Sequence, residues 1–188
     1  MKDILTKVID GASQKFGAEY AEVRAQKLSK TMLTLKEGRV EAAKQGIENG
    51  VALRVLVNGA WGFASVGTLD FETLTTAVSD ACNMAKAASS RLKAPIKLVE
   101  TKAVEDKVLL KPRKNPSVIP IEDKINTTSA MSKIVLGYNN RIKSCTIDYL
   151  DLTGTSYFLN NEGTYIEQDK LYVWSRIVAT ANEADIFT

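Results

Sequence analysis

The feature that most constrains the fold is an apolar hairpin signal at residues 48–65, ENGVALRVLVNGAWGFAS. Two apolar segments, 50–57 and 60–66, flank the pair Asn58-Gly59. This pair supplies the positive φ angles that a two-residue type I′ turn needs. The sequence therefore predicts two antiparallel strands joined by this turn.

The predicted hairpin has two chemically different faces. With a two-residue turn, Val55 lies opposite Gly62 in a trough of small side chains, where a helix approaches closest at Gly62. The other face carries Arg54, Trp61 and Phe63, and the guanidinium can lie on a ring. Trp61 and Phe63 belong either to an intramolecular core or to a partner or substrate surface. Both faces are apolar enough that we expect cover on both sides.

Apolar periodicity predicts three helices and two series of short strands. The helices extend from Ile4 to Phe16, over 71–90 after an N-cap at Asp70, and from Pro120 to a stop at Gly137. The apolar side of the third helix is predicted to contain Ile121, Ile125, Thr128, Met131 and Val135. The predicted strands are 20–28, 31–35, 39–45, 50–57 and 60–66, with a second series after Arg141 that turns at Gly154 and 161–163. Strands joined by such short turns are antiparallel.

These elements predict an α+β fold, in which antiparallel meander sheets carry helices on the sheet face. The predicted domains are a helix–sheet–helix lobe at 1–91, a basic extended arm or linker at 92–118, and a helix with a second meander at 119–188. Similar hairpins at 31–41 and 155–167 indicate either a helix–meander unit used twice or a chance likeness.

The residue types exclude the commonest hydrolytic sites. The chain has no histidine, which both an H-E-x-x-H zinc helix and a Ser-His-Asp triad require. Its two cysteines, Cys82 and Cys145, have no metal-ligand spacing. Cys82 falls in the apolar stripe of the second helix and is interpreted as a core residue. Catalysis by carboxylates or lysine stays open at this point. The residues that the hairpin pattern singles out are the interface or packing candidates Arg54, Trp61, Gly62 and Phe63.

The net charge of +3 is unevenly distributed. Residues 91–114 contain eight Lys or Arg against three Asp or Glu, a local charge of +5. This segment is either a solvated connector or a contact for nucleic acid or an acidic protein. Its lysines are dispersed and no aromatic residue lies among them, which disfavours nucleic acid. No apolar run approaches the ~20 residues that span a bilayer, and an N-terminus with Asp3 and Lys7 is not a secretion signal. We expect a cytoplasmic protein without a membrane partner.

The segment from YAEVRAQKL to NGAWGFAS resembles the N-terminal region of the TldD/PmbA family, also called modulators of DNA gyrase. The matching elements are Tyr20 to Arg24, Gly38, Gly46, Gly50, Arg54, Val55, Gly59, Trp61, Gly62, Phe63 and Ala64. The resemblance is strong over 18–90 and diffuse from there to 188. The Arg-Val and Trp-Gly-Phe-Ala pieces are more similar to the zinc-bearing TldD branch than to the metal-free PmbA/TldE branch.

The resemblance implies a zinc metallopeptidase that acts on small or unfolded peptides, in a homo- or hetero-oligomer with a family member. In that family a histidine–glutamate helix in the C-terminal half holds the zinc, whereas this chain has no histidine and ends at Thr188. No catalytic, cofactor-binding or metal-ligating residue of the family can therefore be assigned to a position of this chain. We expect an N-terminal fragment that is inactive alone and supplies scaffold, subunit contacts and a wall of the substrate passage. The alternative is a non-catalytic binding module that uses the basic arm at 91–114.

Overall fold

The computed structural model describes residues 1–183 and 186–187. The helices are α1 (Lys2–Phe16), α2 (Phe71–Ser89) and α3 (Ile121–Tyr138), with a short 3-10 turn at Pro116–Val118. The strands are β1 (Tyr20–Lys36), β2 (Arg39–Val57), β3 (Ala60–Val66), β4 (Glu105–Val108), β5 (Ile142–Asn160), β6 (Tyr165–Glu183) and β7 (Ile186–Phe187). The predicted α+β class is confirmed. In the described part of the chain, no helix is long and apolar enough to cross a membrane.

The strands form one mixed sheet in the order β3-β2-β1-β5-β6-β4, and β7 pairs with β6. The β2–β3 hairpin is antiparallel, whereas β4 runs parallel to β6. A parallel pair needs a long connection, and here α3 and β5 lie between β4 and β6 in the sequence. The strand series on either side of the arm therefore belong to a single sheet.

In two hairpin turns, two successive residues adopt positive φ. Glu37 and Gly38 have φ of 52° and 77°, and Asn58 and Gly59 have φ of 51° and 72°, as type I′ turns require. Both turns fall between predicted strands, the first between 31–35 and 39–45 and the second between 50–57 and 60–66. The predicted break between strands 39–45 and 50–57 is wrong, because Gly46 in this interval does not adopt positive φ and β2 continues through it.

Two further predictions of interrupted strands are also wrong. The predicted strands 20–28 and 31–35 form the single strand β1, and β5 continues through Gly154 without a turn. A strand can continue through isolated polar or glycine residues, because neighbouring strands satisfy its backbone hydrogen bonds there. The strands are therefore longer than local sequence punctuation indicated.

The chain divides into two compact units, each built from separate segments. Unit 1 comprises Met1–Lys27, Asn49–Leu109 and Thr155–Asp169. Unit 2 comprises Leu28–Glu48, Leu110–Gly154 and Lys170–Thr188. The predicted division into 1–91, 92–118 and 119–188 concerns sequence-continuous domains and stays a prediction.

The core of unit 1 lies between α1, α2 and one face of the sheet. Its buried residues include Leu5, Val8 and Leu74 from the helices and Val23 and Val55 from the strands. The helix ends follow capping chemistry. Gly17 closes α1 in the left-handed conformation, and the Asp70 carboxylate accepts a hydrogen bond from the Thr73 N–H at the start of α2. Cys82 is fully buried in this core, as predicted, and burial raises the pKa of its thiol.

In unit 2, α3 buries a polar face, which corrects the predicted apolar one. Lys124, Thr128 and Ser132 are its buried residues, whereas Met131 is exposed. The Lys124 ammonium pairs with the Asp151 carboxylate and donates to the Thr31 hydroxyl, so the strands beneath α3 supply polar partners. Of the five residues predicted for the buried side, only Thr128 is fully buried. The helix also starts at Ile121, with Pro120 as N-cap, and ends at Tyr138.

Within unit 1, the basic arm is fixed at two places. The Ile96 N–H donates to the Gly59 carbonyl oxygen over 2.9 Å, at the tip of the β2–β3 hairpin. Further along, β4 pairs with β6 from Glu105 to Val108, and Lys107 forms an ion pair of 2.7 Å with Glu167. Part of the arm is therefore integrated into the sheet.

Candidate functional site

The β2–β3 hairpin has the predicted register. Val55 pairs with Gly62, Arg54 with Phe63 and Leu56 with Trp61. Since alternate residues of a strand point to opposite faces, Gly62 lies on the helix-covered face, and Arg54, Trp61 and Phe63 lie on the other. We call this second surface of unit 1 the aromatic–arginine face. It comprises Tyr20, Glu22, Arg24, Arg54, Trp61, Phe63 and Phe158.

A buried carboxylate lies at the centre of the aromatic–arginine face. Glu22 is only 5% exposed. Its Oε2 accepts hydrogen bonds from the Tyr20 hydroxyl over 2.7 Å and from Nη2 of Arg54 over 2.9 Å. Nε of Arg24 lies 3.5 Å from the other carboxylate oxygen. A buried charge is tolerated only when it is paired and hydrogen-bonded, so these contacts explain why Glu22 can occupy this position.

Aromatic rings orient the Arg54 guanidinium. Its central carbon lies 4.5 Å from the centre of the Trp61 ring, the contact that the strand alternation predicted. Tyr20 meets the same indole edge-on, with ring centres 5.9 Å apart, and Phe63 lies 6.4 Å from it. Nε of Arg54 is buried without a hydrogen-bond partner. Burial, followed by the Glu22 hydrogen bond, raises the pKa of Tyr20.

Gly62 faces α2 at contact distance. A Cβ built on this residue would lie 1.8 Å from the carbonyl oxygen of Ala81 and 3.1 Å from the Ala85 side chain. Only glycine fits at such a close approach of two backbones. The structure therefore brings Arg54, Trp61 and Phe63 together on one surface and places Gly62 on the opposite one. An interface role for the first three stays a prediction.

The aromatic–arginine face is incompletely covered, contrary to the expected burial of both sheet faces. Phe63 is 54% exposed, and the Arg24 side chain is 65% exposed. By contrast, Leu56 and Tyr20 are buried on the same face. The charges of Glu22 and its arginines explain the difference, because a fully covered surface would have to bury all of them.

The sequence interpretation did not assign Tyr20, Glu22, Arg24 and Phe158 to this surface, although a local signal existed for Tyr20 and Glu22. A tyrosine two positions before an acid lies on the same strand face as that acid. This pattern occurs in Tyr20-Glu22, Tyr149-Asp151 and Tyr165-Glu167, where the hydroxyl donates to the carboxylate over 2.7, 2.8 and 2.8 Å. Each acid also pairs with a cation, namely Arg54, Lys124 and Lys107 respectively. The cationic partners are distant in sequence and had no local signal.

The residues that the structure describes do not fit a metal centre. Among residues 1–183 and 186–187, no three His, Cys, Asp or Glu side chains are grouped so that they could hold a metal ion. The chemistry that the aromatic–arginine face offers is recognition. Its guanidinium groups can bind carboxylates, and its rings can cover apolar groups.

Comparison with protein-family models identifies the class of protein to which this chain belongs. Two family models match consecutive parts of the chain: PmbA/TldA metallopeptidase domain 1 at residues 21–85 and the PmbA/TldA metallopeptidase central domain at residues 114–187. The chain thus carries the first and central domains of a metallopeptidase type. It belongs to the TldD/PmbA family.

Curated relatives are considerably longer than this chain. A metalloprotease of Methanocaldococcus jannaschii is 31% identical over 153 residues, which cover 79% of this chain and 33% of the relative. A metalloprotease of Methanothermobacter thermautotrophicus is 27% identical over 165 residues, which cover 88% of this chain and 35% of the relative. The chain therefore spans about a third of the length of the curated relatives that it matches.

Solved structures share the fold at low sequence identity. TldE from Thermococcus kodakarensis superposes with a TM-score of 0.77 at 14% identity, over 98% of this chain and 41% of that one. A candidate modulator of DNA gyrase from Bacteroides thetaiotaomicron gives a TM-score of 0.74 at 21% identity, over 97% of this chain and 41% of that one. These likenesses establish the arrangement of strands and helices.

Proposed function

We propose that this chain is the scaffold and assembly region of a zinc metallopeptidase that acts on small or unfolded peptides, with the zinc-bearing part outside it. The observation that carries the proposal is the consecutive match to domain 1 and the central domain of the family, within relatives that are named metalloproteases. The Arg-Val and Trp-Gly-Phe-Ala residues favour the TldD branch. The absence of histidine supports a role other than zinc ligation.

In this proposal the chain acts by positioning. The sheet of unit 1 provides the frame, and the exposed part of the aromatic–arginine face provides a contact for another subunit in a cytoplasmic homo- or hetero-oligomer. A peptide can also pair with an edge strand of the sheet, since strand addition satisfies the peptide backbone without reading its sequence. Zinc, when bound by the remainder of the enzyme, supplies a polarised water and a Lewis acid.

The alternative of a binding module based on the basic arm has weaker support. Lys107, in the middle of the arm, is paired with Glu167, and β4 forms part of the sheet. These contacts are those of a connector that is fixed to its own domain. A nucleic-acid partner is therefore the less favoured hypothesis.

The proposal can be tested with a chimera. In the metalloprotease of Methanocaldococcus jannaschii, the segment that matches this chain is replaced by this chain, and zinc content and hydrolysis of unstructured peptides are measured. We expect the chimera to retain one zinc per subunit and measurable peptidase activity. The isolated 188-residue chain should show neither after dialysis.

The matched control is the same relative with its matching segment deleted. If the proposal is correct, this truncated relative loses activity and assembly, as measured by peptide hydrolysis and sedimentation. Full activity of the truncated relative would contradict a scaffold role. Tight zinc binding by the isolated chain would contradict the assignment of the metal to the remainder of the enzyme.

A further inference from the structure

Building on the proposed assembly role, we infer that the aromatic–arginine face binds an acidic segment of a partner protein, in which a carboxylate is flanked by apolar side chains. The starting point is the charge of the cluster. Arg24 and Arg54 contribute two positive charges and Glu22 one negative charge, which leaves a net charge of +1. An approaching carboxylate would complete the pairing.

Arg24 contributes little to the pairing of the buried Glu22 carboxylate. Glu22 already accepts hydrogen bonds from Tyr20 and Arg54 at 2.7 and 2.9 Å. The Arg24 contact of 3.5 Å is longer than an ordinary charge-assisted hydrogen bond, and an ion pair so exposed adds little to stability. Its guanidinium lies 4.5 Å from the Phe158 ring. That ring orients the guanidinium while 65% of the side chain stays exposed.

Apolar groups surround the two arginines. Phe63, 54% exposed, lies next to Trp61, which supports Arg54. Arginine and aromatic residues at the centre of a surface patch are the types that dominate binding energy in protein interfaces. A partner segment with one carboxylate and apolar neighbours matches both components of this surface.

An acidic peptide fits this surface better than nucleic acid does. Nucleic acid presents a phosphate at every nucleotide and requires a track of cations, whereas this face offers two arginines around a carboxylate. Glu22 would repel a second closely spaced anion. A single side-chain carboxylate can bind the guanidinium edge of Arg24 and leave the Glu22–Arg54 pair intact.

The binding test uses the full 188-residue chain and a ten-residue fluorescein-labelled peptide with blocked termini, in which a single central Glu is flanked on each side by Val and the remaining positions are Ser. The comparison probes are the same peptide with Gln in place of Glu, and a single-stranded DNA oligonucleotide of similar length. Fluorescence anisotropy at pH 7 should show that the Glu peptide binds about tenfold more tightly than the Gln peptide, because charge-assisted bonds are lost.

Two variants and two matched controls localise the site. Arg24→Gln and Phe63→Ser should each weaken Glu-peptide binding about fivefold or more, as expected for interface anchors. Lys97→Gln removes an exposed positive charge from the arm, and Phe71→Ser removes an exposed aromatic ring from α2. Both controls should leave binding unchanged. Circular dichroism melts check that every variant is folded.

Several outcomes overturn the inference. These are the absence of peptide binding, equal affinity for the Glu and Gln peptides, or equal effects of Arg24→Gln and Lys97→Gln. Tighter binding of the oligonucleotide that Arg24→Gln abolishes would assign the face to nucleic acid instead. An active chimera together with failed peptide binding would overturn only this inference, whereas an inactive chimera would overturn the proposed function.

Discussion

Nζ of Lys124 lies 2.6 Å from Oδ2 of Asp151, and each side chain is only 3% exposed. The same ammonium donates to the Thr31 hydroxyl over 3.0 Å, and the Tyr149 hydroxyl donates to the same carboxylate oxygen over 2.8 Å. This buried ion pair connects α3 to β1 and β5 within unit 2. Burial, followed by the Asp151 hydrogen bond, raises the pKa of Tyr149, so its hydroxyl stays protonated as a donor.

Replacing Lys124 by methionine should strongly destabilise the protein. The substitution leaves Asp151 buried without its cation, which typically costs about 3–5 kcal/mol. Urea denaturation of Lys124→Met should therefore show a large fall in the free energy of unfolding. Changing both partners, as in Lys124→Met with Asp151→Leu, should recover much of the loss, because a well-packed apolar pair often replaces a buried ion pair without cost.

Lys133 provides the matched control, since it is an exposed lysine of the same helix. We expect Lys133→Met to change stability by less than about 0.5 kcal/mol, as surface substitutions usually do. Equal denaturation midpoints for the Lys124 and Lys133 variants would show that the buried pair contributes nothing.

Gly62→Ala should be among the costliest single-methyl additions in unit 1. The new Cβ would lie 1.8 Å from the Ala81 carbonyl oxygen, and a helix backbone cannot move aside as a flexible side chain can. Overpacking of this kind costs about 1–3 kcal/mol or more, so thermal and urea melts should both shift down. In Gly46→Ala, the added methyl meets nothing within 4 Å, and stability should be unchanged or slightly raised. Similar melts for the two variants would contradict close contact at Gly62.

The cap of α2 should make stability fall in acid. Hydrogen bonds from the Thr68 hydroxyl and the Thr73 N–H lower the pKa of Asp70 to about 2, from 3.8. Because the folded-state pKa is the lower one, the stabilisation is complete above about pH 4 and is lost as the pH falls towards 2. Melting temperatures between pH 2 and 5 should therefore depend less on pH in Asp70→Asn than in the wild type.

Asp80, exposed on the same helix, is the control for the acid melts. We expect Asp80→Asn to keep the wild-type pH dependence. If Asp70→Asn and the wild type lose stability in parallel down to pH 2, the Asp70 carboxylate is not the group responsible.

Trp61→Ala should weaken both unit 1 and any assembly through the aromatic–arginine face. The indole supports Arg54 at 4.5 Å and contacts Tyr20 edge-on. Since Trp61 is only partly buried, the loss should be below the ~3–5 kcal/mol of a fully buried aromatic residue. Urea melts measure stability and sedimentation measures assembly. The control is Trp174→Ala. Trp174 is the other tryptophan and lies in unit 2, so its replacement should leave the environment of Arg54 unchanged. A wild-type melt of Trp61→Ala would argue against its supporting role.

Local chemistry made part of this fold predictable. The Asn58-Gly59 turn fixes the register of β2 and β3, because its two positive φ angles admit only one close pairing. The cap at Asp70 and the apolar spacing after it likewise determined where α2 begins and which side it buries. In each case the deciding residues are neighbours in sequence.

The buried ion pairs were not predicted from the sequence, because their partners are far apart in it. From the sequence alone, Lys124 is predicted to be a surface residue. In the structure it is buried, because Asp151 and Thr31 of neighbouring strands contact its ammonium group. Similarly, the surroundings of Glu22 include Arg54, which is 32 positions away. Helical periodicity treats every charged residue as solvent-facing, so it cannot identify a polar face whose partners come from other strands.

The attachment of the arm to the hairpin tip and to β6 changes its behaviour as a polyelectrolyte. Between the fixed points at Ile96 and Val104, the seven residues from Lys97 to Ala103 carry two lysines and one glutamate, a net charge of +1. Both ends of this short tether belong to one domain, so it cannot extend along a phosphate backbone as a free chain would. Counterion release, and with it the salt dependence of any nucleic-acid affinity, should therefore be smaller than the +5 of residues 91–114 implies.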